Sequence, residues 1–271
     1  GCPFGCGCGG GRESPSFLRV RRRAIGRIIE ELAALREAYG YRAYMFQDDE
    51  LNVTADVIPL MHAIRRGAPV VLRGFVKAQL LTAAQATAMA EAGMQEVLIG
   101  FESASDRILQ NINKQATRED NTRALALCRQ QGLRVKALMS LGHPGETAET
   151  IRQTQDWLLA EAPDAVDVAI ITVYPGTPYY DEAAETAPGV WTYRARKSGD
   201  RLHSRALDWT EAAAYYKGAP GAYQSFVWTD RLSPEDLVAA RDELERTLRS
   251  RLDLPYPAGR AAPYEHSMGQ R

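Results

Sequence analysis

The chain has 271 residues, 45% of them hydrophobic, enough to bury one sizeable core. Its 33 lysines and arginines offset 34 acidic residues, so bulk charge points to neither nucleic acid nor an anionic membrane surface. No run approaches the ~18 to 20 apolar residues of a membrane span and no basic-then-apolar signal opens the chain, so the expectation is a cytoplasmic protein with no membrane or nucleic-acid partner.

In chain order, Cys2, Cys6 and Cys8 come first, inside a glycine-rich stretch that begins at Gly1. The start against this cluster reads as missing upstream sequence. In a reducing compartment, clustered cysteines suit a metal or redox centre better than disulfides, and glycines let backbone wrap closely around a bulky inorganic group. On spacing alone an iron-sulfur site, a zinc site and no metal all remain open.

Arg19, Arg21, Arg22 and Arg23 then form a basic run, a solvated face or a clamp for an acidic group. They enter a helix predicted over 23–39, where Ile25, Ile28, Ile29, Leu32 and Leu35 make an apolar stripe and Gly40 supplies the stop. Strands are predicted over 43–46, 70–76, 96–101, 135–141 and 166–174, nearly continuous in apolar character, as parallel strands buried on both faces are. Helices are expected between them: Thr82 with Gln85 resembles a capping box, and 147–159 and 233–252 are further helices. Strands alternating with helices at roughly 30-residue spacing give an α/β fold.

Polar groups gather at the strand ends. Asp48, Asp49 and Glu50 follow the first of these strands, three carboxylates that repel unless they meet a cation; a solvated acidic turn is the plainer reading. Gly74, in Arg73-Gly74-Phe75-Val76-Lys77, allows a close backbone approach. Glu102 and Ser103 end the strand at 96–101, where serine also suits a helix N-cap. Ser140-Leu141-Gly142-His143-Pro144-Gly145-Glu146-Thr147 is a tight turn into a helix N-terminus, in which His143 is a structural turn residue or a proton-transfer group. Tyr174-Pro175-Gly176-Thr177-Pro178 closes the series. Cys128 reads as buried packing, and His62, His203 and His266 lack ligand-like spacing.

Taken together and in order, these segments resemble the radical S-adenosylmethionine (SAM) family, whose signature is C-x3-C-x2-C. Cys2 and Cys6 match its first two positions; the third falls at Gly9, with Cys8 one place early. The resemblance implies a partial (β/α)6 TIM-like barrel with its first strand missing, over 1–187; after Pro188 the pattern changes to aromatic and charged residues, with Trp191, Tyr193, Trp209, Tyr215, Tyr216 and Tyr223, and reads as a mixed C-terminal extension over 188–253 packed on the core, while 254–271, rich in proline, glycine and alanine, reads as a frayed tail. It implies a 4Fe-4S cluster on Cys2, Cys6 and Cys8, with SAM on the fourth iron. Asp48, Asp49 and Glu50 would receive the SAM ammonium, Glu102 and Ser103 its sugar, and Gly142 and Tyr174 would lie beside the adenosine. It implies reductive SAM cleavage to a 5′-deoxyadenosyl radical, an electron donor such as flavodoxin or ferredoxin, and a small-molecule substrate. The closest subgroup places a cobalamin-binding domain upstream and contains many methyltransferases. A radical SAM enzyme without cobalamin, a SAM-binding protein with a decayed cluster site, and a zinc module on an α/β barrel are the alternatives.

Overall fold

The computed structural model describes residues 2–9, 19–67, 69–207 and 224–255. Five strands, β1 (Ala43–Phe46), β2 (Val71–Val76), β3 (Met94–Glu102), β4 (Arg134–Leu141) and β5 (Ala165–Ile170), form one sheet in sequence order, with parallel pairing at β1/β2 and β2/β3. Sequence order with helical crossovers is the barrel pattern. The sheet does not close: β1 and β5 stand at its ends. Trp209, Tyr215, Tyr216, Tyr223 and residues 256–271 of the expected tail lie outside the described residues.

The chain divides into two compact units. The first comprises 1–3, 14–101 and 119–137. Its α1 (Ile25–Tyr39) forms as the periodicity predicts, and Gly40, at φ +72°, donates its N–H to Arg36 O at 2.8 Å. Yet none of α1's residues is buried. A cavity of about 340 Å³ lies among Ile29, Leu32, Ala33, Ile64 and Val70, so the apolar stripe is only partly covered. Burial falls instead to α2 (Val57–Arg65), α3 (Ala83–Glu91) and the strands, through Met61, Ile64, Met89, Leu72, Val97, Leu98, Ile99 and Phe101. Thr82 and Gln85 make the expected reciprocal capping box on α3. Gly74 faces Phe46 across β1 and β2, where an added Cβ would stand 3.2 Å from that of Phe46. Its small size is used by the sheet itself. The α5 helix (Arg118–Gln130) buries Cys128 as packing, and α4 (Asp106–Ile112) precedes it in the chain.

The second unit comprises 4–13, 102–118 and 138–271. Here α6 (Ala148–Glu161), capped by Thr147, and α8 (Pro234–Arg251), capped by Ser233, pack together, and α8 lies along β5. The edge of β5 is covered by side chains: Val168 donates its N–H to Glu245 Oε1 at 3.0 Å, and Val168 O accepts from Arg241 Nε at 3.0 Å. Arg249 Nε in turn donates to Glu245 Oε2 at 2.6 Å. The backbone donor and acceptor of Val168, which a next strand would pair, are thereby satisfied.

β5 stops at Ile170, before the predicted end at 174, because the chain turns through Thr177 into α7 (Pro178–Asp181), and the threonine side chain accepts from Tyr180 N–H in its first turn. Three strands of the aromatic and charged stretch beyond 188, β7 (Val190–Arg194), β8 (Arg201–Arg205) and β9 (Val227–Thr229), join β6 (Ala184–Ala187), which precedes it, in a four-stranded antiparallel sheet. Leu202 and Val227 of this sheet join Ile170, Tyr179, Tyr193 and Leu237 in one apolar cluster, with Cys8 packed against it. No helix among the described residues is long and apolar enough to cross a membrane.

Candidate active site

The first unit supplies the acidic strand end. Asp48 and Asp49 are exposed and Glu50 half-buried just after β1. With Arg21, Arg22 and Arg23 they line a cavity of about 690 Å³. Arg22 is ion-paired with Asp56 and Arg23 with Glu31, so the basic run clamps acidic groups within its own unit.

In the second unit the segment carrying Cys6 and Cys8 is tied down at Gly5, Gly7 and Gly9. Gly7 N–H donates to Ile112 O at 2.7 Å, Gly7 O accepts from Tyr179 N at 3.0 Å, Gly9 N–H donates to Cys6 O at 3.1 Å, and Gly5 O accepts from Asn113 Nδ2 at 2.8 Å. Cys2, Cys6 and Cys8 form no disulfide and are of intermediate burial. Burial pushes the Cys8 thiol up, and the charge of Glu102 and the neighbouring Cys6 push it further, against the pull of Lys114. A thiol so placed ionises when a metal takes the proton's place.

The donor chemistry fits an iron-sulfur group, soft thiolates on a fixed glycine-rich loop. Among the described residues no three histidine, cysteine, aspartate or glutamate side chains are gathered as a metal site. The observed fit therefore concerns donor type and the Cys6–Cys8 part of the loop.

Next to that loop runs a buried string of hydrogen bonds. Glu102 ends β3 at φ +64°, a conformation unusual for a residue with a long side chain. Its carboxylate accepts from Lys114 Nζ at 2.9 Å and from Ser140 Oγ at 2.6 Å. Ser140 Oγ lies 2.7 Å from His143 Nε2, and His143 Nδ1 lies 3.1 Å from the Tyr179 hydroxyl. One proton arrangement satisfies every group: Tyr179 donates to His143 Nδ1, His143 Nε2–H donates to Ser140, and Ser140 donates to Glu102. All donors then point toward one anion.

The electrostatics agree. Burial alone would raise the Glu102 carboxyl, but the Lys114 charge and the bonds from Ser140 and Lys114 outweigh it and hold it below the ordinary carboxylate range. Burial lowers His143 to about 4, so the ring is neutral at pH 7. Glu146, fully buried, is raised by burial to about 7 although the N–H groups of Gly142 and His143 both donate to its Oε2, at 2.9 and 3.3 Å. Those bonds fix the turn at Gly142, whose φ is +91°.

Ser103 is buried, with its hydroxyl 3.2 Å from Thr154 Oγ1 and accepting from Ser105 N at 3.1 Å. Tyr174 is half-buried, and its carbonyl accepts from Thr177 Oγ1 at 2.7 Å. The structure thus joins Glu102 to the 140–146 turn through Ser140 and holds Ser103 and Tyr174 within turn geometry. Lys114 and Tyr179 are the members that sequence patterning passes over. A lysine between two helices and a tyrosine after Thr-Pro carry no local signal of a shared partner.

The chain belongs to the radical SAM superfamily, a family of enzymes: residues 1–158, from the cysteine loop through most of α6, match it. Among curated relatives, an uncharacterized methyltransferase of Pyrococcus horikoshii is 30% identical over 186 residues, 68% of this chain and 40% of that protein. The anaerobic magnesium-protoporphyrin IX monomethyl ester cyclase of Cereibacter sphaeroides is 25% identical over 190 residues, 67% of this chain and 30% of that one. The chain therefore spans two fifths or less of these relatives' lengths. Among solved structures, the radical SAM methyltransferase TsrM from Kitasatospora setae, with cobalamin and a 4Fe-4S cluster bound, superposes with a TM-score of 0.61 at 23% identity, covering 72% of this chain and 41% of that one. Methylornithine synthase superposes with a TM-score of 0.51 at 13% identity, over 73% of this chain and 56% of that one. These two likenesses concern the fold.

Proposed function

We propose that this chain is the SAM-cleaving core of a radical SAM methyltransferase acting on a small molecule in the cytoplasm. The observation that carries the reading is the family match across the cysteine loop together with the pinned, disulfide-free state of that loop. A 4Fe-4S cluster held by Cys2, Cys6 and Cys8 would, when bound, supply the electron that splits SAM into methionine and a 5′-deoxyadenosyl radical. Flavodoxin or ferredoxin would supply the reductant. Asp48, Asp49 and Glu50 would receive the SAM ammonium, as an exposed acidic edge attracts a cation. Glu102 would accept from sugar hydroxyls, its ionised carboxylate retaining acceptor capacity beside the bonds from Lys114 and Ser140. Ser103 would join Glu102 at the sugar, and Gly142 and Tyr174 would shape the walls beside the adenosine. Methyl transfer is supported by the methyltransferase-named relative, and cobalamin by the neighbour that binds it.

The test is anaerobic reconstitution of the full chain with iron and sulfide, followed by electron paramagnetic resonance with and without SAM and an assay for 5′-deoxyadenosine. A four-iron signal that SAM perturbs, with 5′-deoxyadenosine formed, supports the reading. The early position of Cys8 and the ungathered thiols favour a second reading, a SAM-binding protein without a working cluster. That reading predicts SAM binding by calorimetry with no iron signal, and restoration of the signal by Gly9→Cys.

A further inference from the structure

We propose that Tyr179, held in place by His143, is a positioning residue that sets the geometry of the Cys6–Cys8 backbone; this rests on the iron-sulfur reading of that loop. An ideal Cβ on Gly7 would stand 2.1 Å from Cε1 of the Tyr179 ring and within 2.8 Å of its Cδ1 and Cζ. The ring fills the volume that a side chain at position 7 would need. At the same point the Tyr179 backbone N–H donates to Gly7 O at 3.0 Å, while Gly7 N–H donates to Ile112 O. The peptide units flanking Gly7 are thus clamped from two sides, with the Tyr179 ring against the glycine.

Tyr179 is itself immobilised. It is 1% exposed, its ring packs on Tyr193 with centroids 4.8 Å apart, and its hydroxyl meets His143 Nδ1 at 3.1 Å. Through Ser140 the same string reaches Glu102, so the group that ends β3 and the group under the cysteine loop are set by one continuous network. Loop glycines are commonly expected to make room for a metal group. At Gly7 the room is taken by Tyr179, and glycine is required there for the ring to sit against the backbone. A cavity or smaller side chain at 179 would let the two flanking cysteines drift relative to each other.

The experiment uses the full chain reconstituted anaerobically with ferrous iron and sulfide, in wild type, Tyr179→Phe, His143→Gln, Gly7→Ala, Tyr179→Leu and the Gly7→Ala/Tyr179→Leu double variant. The readouts are iron per chain, the rate of iron loss to a chelator, the g-values of the reduced protein, and the thermal midpoint without iron. Tyr179→Phe keeps the ring against Gly7 and loses the bond to His143. It is expected to take up as much iron as wild type, to shed it about tenfold faster, the factor for one lost buried hydrogen bond, and to show shifted g-values. His143→Gln is expected to behave alike. Gly7→Ala alone is expected to fail to hold iron, and adding Tyr179→Leu, which opens space for the new methyl, to recover part of it, a non-additivity that independent sites do not give. If Tyr179→Leu does not fold, the Phe and Gln variants decide. Wild-type iron uptake with unchanged release and unchanged g-values in both of those variants overturns the positioning role alone. No iron in wild type overturns the iron-sulfur reading and the positioning role with it.

Discussion

Replacing Lys114 with methionine isolates the one strong ion pair of the buried string. Lys114 Nζ lies 2.9 Å from Glu102 Oε1, with the two side chains 10% and 20% exposed. At an effective dielectric near 20 the gross attraction is about 6 kcal/mol, most of it offset by desolvation of the two charges. Removing only the cation leaves Glu102 charged in the interior beside the Ser140 hydrogen bond, and breaking such a pair costs about 3 to 5 kcal/mol. In a chain of this size about 3 kcal/mol corresponds to a thermal midpoint roughly 6 to 12 °C lower. Lys114→Met/Glu102→Gln removes both charges and is expected to regain more than half of the loss. Thermal and urea unfolding at pH 7 measure both variants. A drop below ~2 °C for Lys114→Met, or a double variant no more stable than the single, would refute the view that Glu102 depends on this cation. The pH dependence gives an independent check. Because the folded carboxyl lies below its unfolded value, its contribution is complete above the ordinary carboxylate range and fades as pH falls through the lowered folded value. Lys114→Met is expected to lose that acid-limb dependence.

Glu146 has the opposite sign. Raised by burial to about 7 in the folded state, it favours folding when protonated and costs stability as pH rises from about 4.3 to about 7. Glu146→Gln, which keeps an oxygen for the Gly142 and His143 N–H groups, is expected to flatten the slope of denaturant midpoint against pH in that window. Two glycines separate backbone strain from collision. Gly132, at φ +69° with nothing within 4 Å of an added Cβ, is expected to lose about 1 kcal/mol on change to alanine. Gly93, at φ +95° with Val70 O only 2.1 Å from that Cβ, is expected to lose more than twice as much by the same urea assay, because backbone cannot swing aside. Asp48→Asn/Asp49→Asn is expected to weaken SAM binding measured by calorimetry while changing stability by less than ~0.5 kcal/mol, both residues being exposed. Equal affinity would remove the acidic strand end from the SAM site.

Much of this architecture is local and was therefore readable from the chain. Runs such as Val135 to Leu141 specify buried parallel strands because both faces must be apolar, and Thr82, Thr147 and Ser233 announce helix starts because their side chains satisfy donors within three residues. Gly40 announces an end for the same local reason. Glu102 and the 140–147 turn were legible as polar groups at strand ends, and the family follows from their order.

What the tertiary structure alone decided is which of these groups share a partner. Lys114, Ser140, His143 and Tyr179 meet at one buried network although 65 residues separate its ends, and no periodicity encodes a contact between side chains brought together by packing. The cover on the β5 edge is of the same kind. Glu245 and Arg241 are charged residues of the helix expected over 233–252, and only docking of α8 turns them onto Val168, where a buried backbone donor and acceptor require partners. The partly covered stripe of α1 makes the converse point. Its period fixes a helix, while the depth of its burial depends on what packs against it.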